Sequence, residues 1–379
     1  MNPQISSLFE GCSAIDQTRH RDEIFKELPT SRGLVLFADS AGKPIQLLCA
    51  ANIRRTAKAR LIADPEEILP KRKTSIADIT AEIYYLNCFC DFSTSLKYYE
   101  IAKTLFPDSY TDLLAFGKCS YLKIDTSLDW PCFSITDRAV IDNNKKVFGP
   151  FYSRKSAADF LCALQDAFLL CRCPNLIAKS EKAKSCPYFQ MQLCLRPCTG
   201  GTDRSGYLEQ ITSAIRAIEN IDEQSRILKD QMRLFSEKLN FEKAQIAKKQ
   251  LDALTFLTEK KYRWVTALDS LAVLHIDKGA KVKIPKQRTK VQSYSVFLTK
   301  ACGIIKLGDF TIDQMPTLYD LLKENLSAPP TSFANAEELA IAAYYLYRNN
   351  PPGLWLNCKE ITSAYEITKE ITQKFLGTD

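Results

Sequence analysis

The stretch CPYFQMQLCLRPC, residues 186–198, places three cysteines within thirteen residues, and a fourth lies shortly before it at Cys173. Twelve, seven and three residues separate Cys173, Cys186, Cys194 and Cys198. Thiolates are soft donors, and four of them complete the ligand set of a zinc ion or an iron–sulfur cluster. The spacing is neither the paired C-x-x-C of a zinc ribbon nor a ferredoxin run. It still favours metal binding over core filling for residues 173–198, here called the cysteine segment.

The remaining cysteines leave alternatives open. The chain contains 14 cysteines, and Cys171 is an alternative ligand to Cys173. The other nine are scattered among apolar residues, which is typical of small core side chains. The first residues contain no apolar h-region, so we expect no signal peptide and a reducing compartment, where disulfides are rare. Lys179, Lys182 and Lys184 would offset the negative charge of a thiolate cluster.

Length and composition indicate a globular protein of several domains. The chain has 379 residues, of which 46% are hydrophobic and 25% charged. No apolar run approaches the length of a membrane span, so we expect a soluble protein without a membrane partner. The net charge of +7 permits a nucleic-acid partner without requiring one. Basic residues cluster at 54–60, 71–73 and 278–290, and a polyanion partner and a solvated surface remain equally open for them.

The residue pattern predicts an α+β, multidomain fold. Residues 33–48 read as two strands around a polar turn, and residues 93–106 as a helix capped by Ser93 or Ser95. A strand-rich region at 118–152 precedes helices at 156–170 and 206–220. The remainder alternates strands of an antiparallel sheet with two helices. We expect four parts, which are residues 1–112, 113–205, 206–262 and 263–379.

Residues 226–261 carry the clearest helical pattern. Leu228, Met232, Phe235 and Leu239 step by four, three and four residues, and Ala247, Leu251 and Leu254 repeat the four-three step. Two helices with a break at 239–242 predict an antiparallel hairpin. Its apolar stripe either packs within the hairpin, which the residues alone favour, or docks a similar hairpin of another protein.

Three segments together resemble the UvrC subunit of the bacterial UvrABC excinuclease and its shorter relative Cho. They are VFGPFYS at 147–153, LQDAFLLCRC at 164–173 and the cysteine segment. The resemblance implies a [4Fe-4S] cluster on Cys173, Cys186, Cys194 and Cys198, with zinc as the alternative. It places the protein in the bacterial cytoplasm, with DNA as a partner.

The segment LKDQMRLFSEKLNFEKAQIAKKQLDAL at 228–254 resembles the UVR motif of the same family. The resemblance implies that this hairpin pairs with the like hairpin of a UvrB-type partner. Lys248 and Lys249 stand where the motif usually has Arg-Asp, which could alter partner choice. The residues implied in pairing are Leu228, Met232, Leu239, Phe241, Glu242, Ala244 and Leu251.

Residues 33–61 stand where the family has its GIY-YIG nuclease motif. The scaffold positions survive at Gly33, Phe37, Asp39, Gly42, Ala50 and Ile53. The positions of the catalytic groups hold other residues. The two tyrosines fall on Val35 and Gln46, and the Gly-Lys pair falls on Leu48 and Cys49. The arginine falls on Thr56 or, with a one-residue slip, on Arg55. The metal-binding glutamate falls on Tyr98 if Pro107 anchors the alignment or, with a gap, on Glu100. The terminal asparagine falls on Tyr110 or Thr111.

The altered motif predicts that nuclease activity is lost. Hydrolysis of a phosphodiester requires an activated nucleophile, charge stabilisation and a metal ion, and Val and Gln cannot deprotonate water. The chain would then be a repair protein that binds DNA through Arg54, Arg55, Lys58 and Arg60, without the RNase H-like nuclease half of the family. One alternative is an active endonuclease that uses Mg²⁺ or Mn²⁺, Arg55 and Glu100 for the 3′-side incision. Another is a protein-binding scaffold without DNA binding.

Overall fold

The computed structural model describes residues 3–15, 21–62, 76–140, 144–177, 186–284, 289–328 and 334–377. These residues form three four-stranded antiparallel sheets with helices around them. The mixture of helices and strands in several units confirms the α+β, multidomain class. The basic cluster at 71–73 and the three lysines proposed beside the cysteines, Lys179, Lys182 and Lys184, lie outside the described residues.

The first unit is a sheet with helices on both faces, in the strand order β1-β4-β2-β3. Strand β2 is buried along its whole length because its side chains alternate between two cores. Val35 and Phe37 pack with the helix α3 on one face, and Leu34 and Leu36 pack with α4 on the other. The elements are α1 (Pro3–Ser6), β1 (Gly11–Ala14), α2 (Arg21–Glu27), β2 (Gly33–Ala38), β3 (Pro44–Ala50), α3 (Ile53–Leu61), β4 (Glu82–Asn87), α4 (Asp91–Leu105) and α5 (Tyr110–Leu113).

The second unit packs helices on a sheet of the order β6-β5-β7-β8. Phe160 and Leu164 of α6 share a core with Leu254 of α10. Strand β8 pairs with β7, so this sheet extends past the boundary expected at residue 263. The elements are β5 (Ser120–Asp125), β6 (Ser134–Thr136), β7 (Lys145–Phe151), α6 (Arg154–Phe168), α7 (Pro187–Gln190), α8 (Arg204–Glu219), α9 (Ile221–Glu237), α10 (Phe241–Leu257) and β8 (Thr266–Ala267).

The third unit is a sheet of the order β11-β10-β9-β12 between two apolar layers. Leu274 and Ile276 of β9 face α11 and α13, whereas Val273 and His275 face α12 and the first unit. Burial lowers the pKa of His275 to about 3, so its ring is neutral at physiological pH. The elements are β9 (Ala272–Val282), β10 (Val291–Lys300), β11 (Gly303–Phe310), α11 (Met315–Ser327), α12 (Ala336–Leu346), β12 (Leu354–Asn357), α13 (Ala364–Ile371) and a π-helical turn, Thr372–Leu376.

The structure corrects the predicted start of α4. This helix begins at Asp91, and the Cys90 thiol is its N-cap, accepting a hydrogen bond from the Ser93 N–H at 3.4 Å. The Ser93 hydroxyl instead donates to the Cys90 carbonyl at 3.0 Å, within the first turn. The predicted cap at Ser93 or Ser95 was therefore wrong, because the cap position precedes both serines.

The first and third units meet along α4. Phe92 is fully buried among the rings of His275, Phe297, Tyr345 and Trp355, with centroids 4.6 to 5.4 Å from its own. This aromatic cluster joins the helix start to the third sheet.

A polar contact extends the same interface. The Glu337 carboxylate accepts hydrogen bonds from Lys103 at 2.8 Å and from Tyr99 and Tyr110 at 2.6 Å each. Burial alone would raise the pKa of Glu337, but hydrogen bonds from Lys103, Tyr110 and Tyr99 outweigh it and lower the pKa to about 2. Glu337 therefore remains ionised, and the contact intact, over the physiological pH range.

Candidate functional site

The cysteine segment is built directly on the end of α6. The chain leaves this helix through Leu169, whose φ of 51° is left-handed, and the Leu169 carbonyl accepts a hydrogen bond from the Leu195 N–H at 2.9 Å. Short helical turns follow Cys173 and Cys186, and each begins with a proline whose φ suits a first helical turn. The local sequence thus folds the segment back on itself beside α6.

The structure brings the predicted thiols into one neighbourhood. Cys186, Cys194 and Cys198 are buried, and Cys173 is partly buried. Desolvation, followed by the nearby Cys186, Cys171 and Cys194 thiols, raises the pKa of Cys173 to about 11. Desolvation and the neighbouring thiols likewise raise the pKa values of Cys194 and Cys198. A cation bound here would remove the repulsion between the thiolates.

Arg172 holds the two sides of the segment together. Its guanidinium pairs with Asp166 of α6, donates to the Cys162 sulfur at 3.4 Å, and lies 4.9 Å from the ring centre of Tyr188 in α7. Only 11% of the Arg172 side chain is exposed. The contact therefore fixes α7, which follows Cys186, against the helix that precedes Cys173.

The separation of the sulfur atoms bears on the kind of metal. Among the described residues, no three thiols of the cysteine segment have their sulfur atoms within 4.8 Å of one another. Four thiolates at one zinc ion lie closer together than this, since each Zn–S bond is about 2.3 Å. Thiolates of a four-iron cluster bind different iron atoms and lie farther apart. The Cys173 and Cys186 thiols, however, lie within hydrogen-bonding reach of each other, and the choice between the two metals stays a prediction from the family resemblance.

One further thiol next to this segment was missed from the sequence. Cys132, from the loop before β6, shares a hydrogen bond with Cys171 and lies 3.5 Å from the Tyr207 hydroxyl. Nothing in its spacing connects Cys132 to the segment, which lies far along the chain. The pairing arises because β6 and α8 enclose Cys171.

The unit that resembles the nuclease places its altered residues on neighbouring strands. Val35 lies opposite Leu48 in the sheet, and the Gln46 side chain accepts a hydrogen bond from Arg60 at 2.6 Å. Tyr98 and Cys49 line a cavity of about 410 Å³ between this sheet and the third unit. The carboxylate that lines the cavity, Asp91, is ion-paired with Arg32.

The weak catalytic candidates, Arg55 and Glu100, do not line this cavity. Glu100 is exposed on α4 and pairs with Lys97 at 2.6 Å. Arg55 is exposed near the start of α3. The α4 residues that face the cavity are Asp91, Ser95 and Tyr98. Tyr98, which stands at the predicted position of the metal-binding glutamate, has no carboxylate for a metal ion.

The basic residues of α3 divide into two kinds. Arg54 donates to the carbonyls of Leu28 at 2.9 Å and Lys26 at 2.8 Å, which secures the end of α2. Arg60 bonds to Gln46 as described above. Arg55 and Lys58 are exposed on the helix. Within the predicted DNA-binding set, Arg55 and Lys58 are thus the two side chains that are exposed to solvent.

The predicted helical hairpin is present, as α9 and α10 joined at residues 238–240. Leu228 and Ala244 are buried, whereas Met232 and Leu251 are partly buried. The base of the hairpin packs on α6, where the Gln250 side chain donates to the Ala167 carbonyl at 2.7 Å. The base of the apolar stripe therefore packs against α6 of the same chain, rather than only between the two hairpin helices as the residues alone favoured.

The tip of the hairpin differs from its base. Leu239, with a left-handed φ of 58°, is 74% exposed, and Phe241 is 65% exposed. Glu242 beside them is also exposed. A leucine and a phenylalanine thus project side by side into solvent at one end of the hairpin.

Known proteins match this chain in the region that contains the cysteine segment. Residues 119–217 match the family model of the UvrC/Cho excinuclease middle domain. Over 235 residues, the chain is 28% identical to the UvrABC system protein C of Helicobacter hepaticus. The chain is UvrC-like. The matched range of the family model contains β5 to β7, α6 and the whole cysteine segment.

The matches of this UvrC-like chain span only part of the length of each relative. The Helicobacter match spans 60% of this chain and 37% of the relative. A longer match, to the UvrABC system protein C of Campylobacter jejuni, is 25% identical over 315 residues and spans 82% of this chain and 51% of the relative. No solved structure matches the chain significantly. Across the described ranges, no helix has both the length and the apolar character needed to cross a membrane.

Proposed function

We propose that this UvrC-like chain is a DNA-repair protein that binds DNA and a UvrB-type partner and has lost the nuclease activity of its first unit. The observation that carries the proposal is the apolar hairpin tip, where Leu239 and Phe241 are 74% and 65% exposed. Contiguous exposed apolar surface on a globular protein marks an interaction site. The proposal places the protein in the bacterial cytoplasm, where the DNA is.

Partner binding rests on the shape of the hairpin. The buried base fixes the direction of both helices, so the tip is presented without further ordering. A partner hairpin with its own apolar stripe would bury both side chains. Lys248 and Lys249 are exposed on the same helix, which favours a partner with acidic residues beside its stripe.

Replacing both tip residues tests this part. We expect Leu239→Ser combined with Phe241→Ser to weaken binding to a UvrB-type protein roughly a hundredfold or more, since burial of each such side chain contributes about 1.5–3 kcal/mol. Binding is measured by isothermal titration calorimetry. Tyr365→Ser, which changes an aromatic side chain 74% exposed on α13, is the matched control. Unchanged affinity in the double variant would contradict the proposed docking surface.

Loss of catalysis rests on the residues at the predicted positions of the catalytic groups. Val35 stands where the family has the tyrosine that helps activate water, and Gln46 stands at the second tyrosine with its side chain bonded to Arg60. Tyr98, at the position of the metal-binding glutamate, cannot hold Mg²⁺ or Mn²⁺. Losing one such group typically costs orders of magnitude in rate, and several are replaced together.

An incision assay tests the loss of activity. The full chain and a UvrB-type partner are incubated with a lesion-bearing duplex and Mg²⁺ or Mn²⁺, and we expect no nicking above background. Nicking that Glu100→Ala abolishes, while the remote Glu324→Ala leaves it intact, would establish the active endonuclease instead. Retardation of the same duplex in a gel should weaken steeply with salt, because phosphate contacts release counterions. Absence of retardation at low salt would favour the scaffold without DNA binding.

The cysteine segment supports a resident cofactor in this proposal. Its four thiols share one partly dry neighbourhood, which fits a [4Fe-4S] cluster, with zinc as the alternative. The cluster would be bound by Cys173, Cys186, Cys194 and Cys198 and would supply a structural crosslink. It would hold the turn after α6 against α7, next to the helices that carry the hairpin.

A further inference from the structure

A second set of metal-ligating side chains lies outside the cysteine segment, where α4 of the first unit meets β9 of the third. Within the described residues, the donor atoms of Cys90, His275 and Asp277 all lie within 4.8 Å of one another. Cys90 comes from the cap of α4, and the other two residues from alternate positions on β9. Residues far apart in the sequence therefore converge at one point of the interface.

His275 is the most unusual member of this set. The residue has no exposed surface, and among the described residues neither ring nitrogen has a hydrogen-bond partner at ordinary distance and angle, while the Leu354 backbone lies near enough to act on its pKa. Its ring stacks on Trp355 at 4.0 Å and contacts Phe92 at 4.6 Å, so the surroundings of its faces are apolar. Buried polar groups in proteins almost always have a partner. A neutral imidazole without one, beside a thiol and a carboxylate, is therefore explained by a bound cation.

The surroundings hold these donors close. Gly353, with a left-handed φ of 73°, lies against the side chains of His275 and Asp277. A Cβ atom at this position would be 2.5 Å from His275 Cε1 and 3.2 Å from Asp277 Cγ. A larger residue there would displace the imidazole, so glycine allows the ring and the carboxylate to share one site.

Two other roles for these residues fit the structure less well. Cys90 is 4% exposed and its sulfur accepts the capping hydrogen bond of α4, so a substrate cannot reach it as a nucleophile. Simple core filling accounts for the aromatic rings, but it leaves both His275 nitrogens unsatisfied. It also leaves the Asp277 carboxylate partly buried, with one hydrogen bond, from the Lys278 N–H at 2.7 Å.

We propose that Cys90, His275 and Asp277 bind a zinc ion that joins the first unit to the third. Thiolate, imidazole and carboxylate are all zinc ligands, and the sulfur and nitrogen donors disfavour Mg²⁺ and Ca²⁺. The charges of the thiolate and the carboxylate balance the divalent ion, while the nearby Arg32 and Asp91 neutralise each other. Three protein ligands leave the fourth position to water. Because the ligands come from two units, zinc would stabilise their contact.

Zinc binding by the full chain tests this proposal. The thiol of Cys90 is removed in Cys90→Ser, which keeps a good helix cap, and Asp277→Asn keeps the shape of the side chain. We expect the unchanged chain to bind one more zinc ion than either variant when titrated with zinc chloride, as measured by elemental analysis after gel filtration. Zinc should also raise the unfolding midpoint of the unchanged chain and of neither variant.

Two controls separate this site from the cysteine segment. Cys358→Ser changes a different buried cysteine, which belongs to the third unit, and should retain the additional zinc. Cys194→Ser should disturb the metal of the cysteine segment and retain zinc at Cys90. Co²⁺ serves as the spectroscopic probe in a chain that already carries Cys194→Ser. In that background, the thiolate-to-Co²⁺ charge-transfer absorption of the proposed site should be present with Cys90 and absent after Cys90→Ser. Equal zinc content and equal stabilisation by zinc in the unchanged chain and both variants would overturn the proposal. The proposed zinc site does not depend on a role of the protein in DNA repair.

Discussion

Phe92→Ala should lower the free energy of unfolding by about 3–5 kcal/mol. The phenylalanine side chain has no exposed surface and meets the rings of His275, Phe297, Tyr345 and Trp355. The substitution removes this apolar contact and leaves a cavity that rigid rings on all sides cannot fill. Because Phe92 belongs to α4, its loss should weaken the junction of the first and third units most.

Urea titration followed by circular dichroism and tryptophan fluorescence measures this effect. Phe241→Ala is the matched control, since the same change at a side chain 65% exposed should alter stability by no more than about 0.5 kcal/mol. Equal midpoints for the two variants would contradict the buried position of Phe92. We expect the fluorescence transition of Phe92→Ala to move furthest, because Trp355 contacts the altered site.

Cys194→Ser should abolish the metal of the cysteine segment. Cys194 is buried beside the other thiols of the proposed set, and a serine hydroxyl is a poor replacement for a thiolate ligand. In anaerobically purified protein, we expect iron and acid-labile sulfide to fall from about four of each per chain to background. The visible absorption of the cluster should disappear with them.

The controls for this variant decide between the metals. Cys119→Ser and Cys90→Ser replace buried cysteines outside the segment and should retain all the iron. Unchanged protein without iron, sulfide or visible absorption would reject the iron–sulfur cluster. A single zinc ion lost on Cys194→Ser would then establish the zinc alternative, and the absence of both metals would leave free thiols.

The local pattern of the sequence predicted most of the elements because it reports periodicity directly. The step of four, three and four residues from Leu228 placed the hairpin helices, and the structure has them as α9 and α10. The strands around residues 39–42 were likewise visible from their apolar runs. Predictions failed where the pattern is short. The four-residue strand β12 and the helix α13 were not foreseen, and α4 begins two residues before the earlier of its expected caps.

Side-chain convergence was less predictable than secondary structure. The four cysteines of the segment are close in sequence, so their spacing alone suggested a shared site. Cys132 lies far from Cys171 in the sequence and joins it only because β6 and α8 fold over the segment. The basic residues of α3 also looked equivalent in sequence, yet Arg54 is bound to backbone carbonyls of α2 while Arg55 is exposed.

The α+β class, the helices of the hairpin and the cysteine spacing follow from the residue pattern alone. Each of these is a property of neighbouring residues and needs no knowledge of distant contacts. The packing of the units places Tyr98 at the cavity and Glu100 in solvent, and it buries the hairpin at its base while leaving Phe241 exposed. It also brought Cys90 to His275 and Asp277. Those outcomes depend on how helices and sheets pack against one another, which local periodicity does not encode.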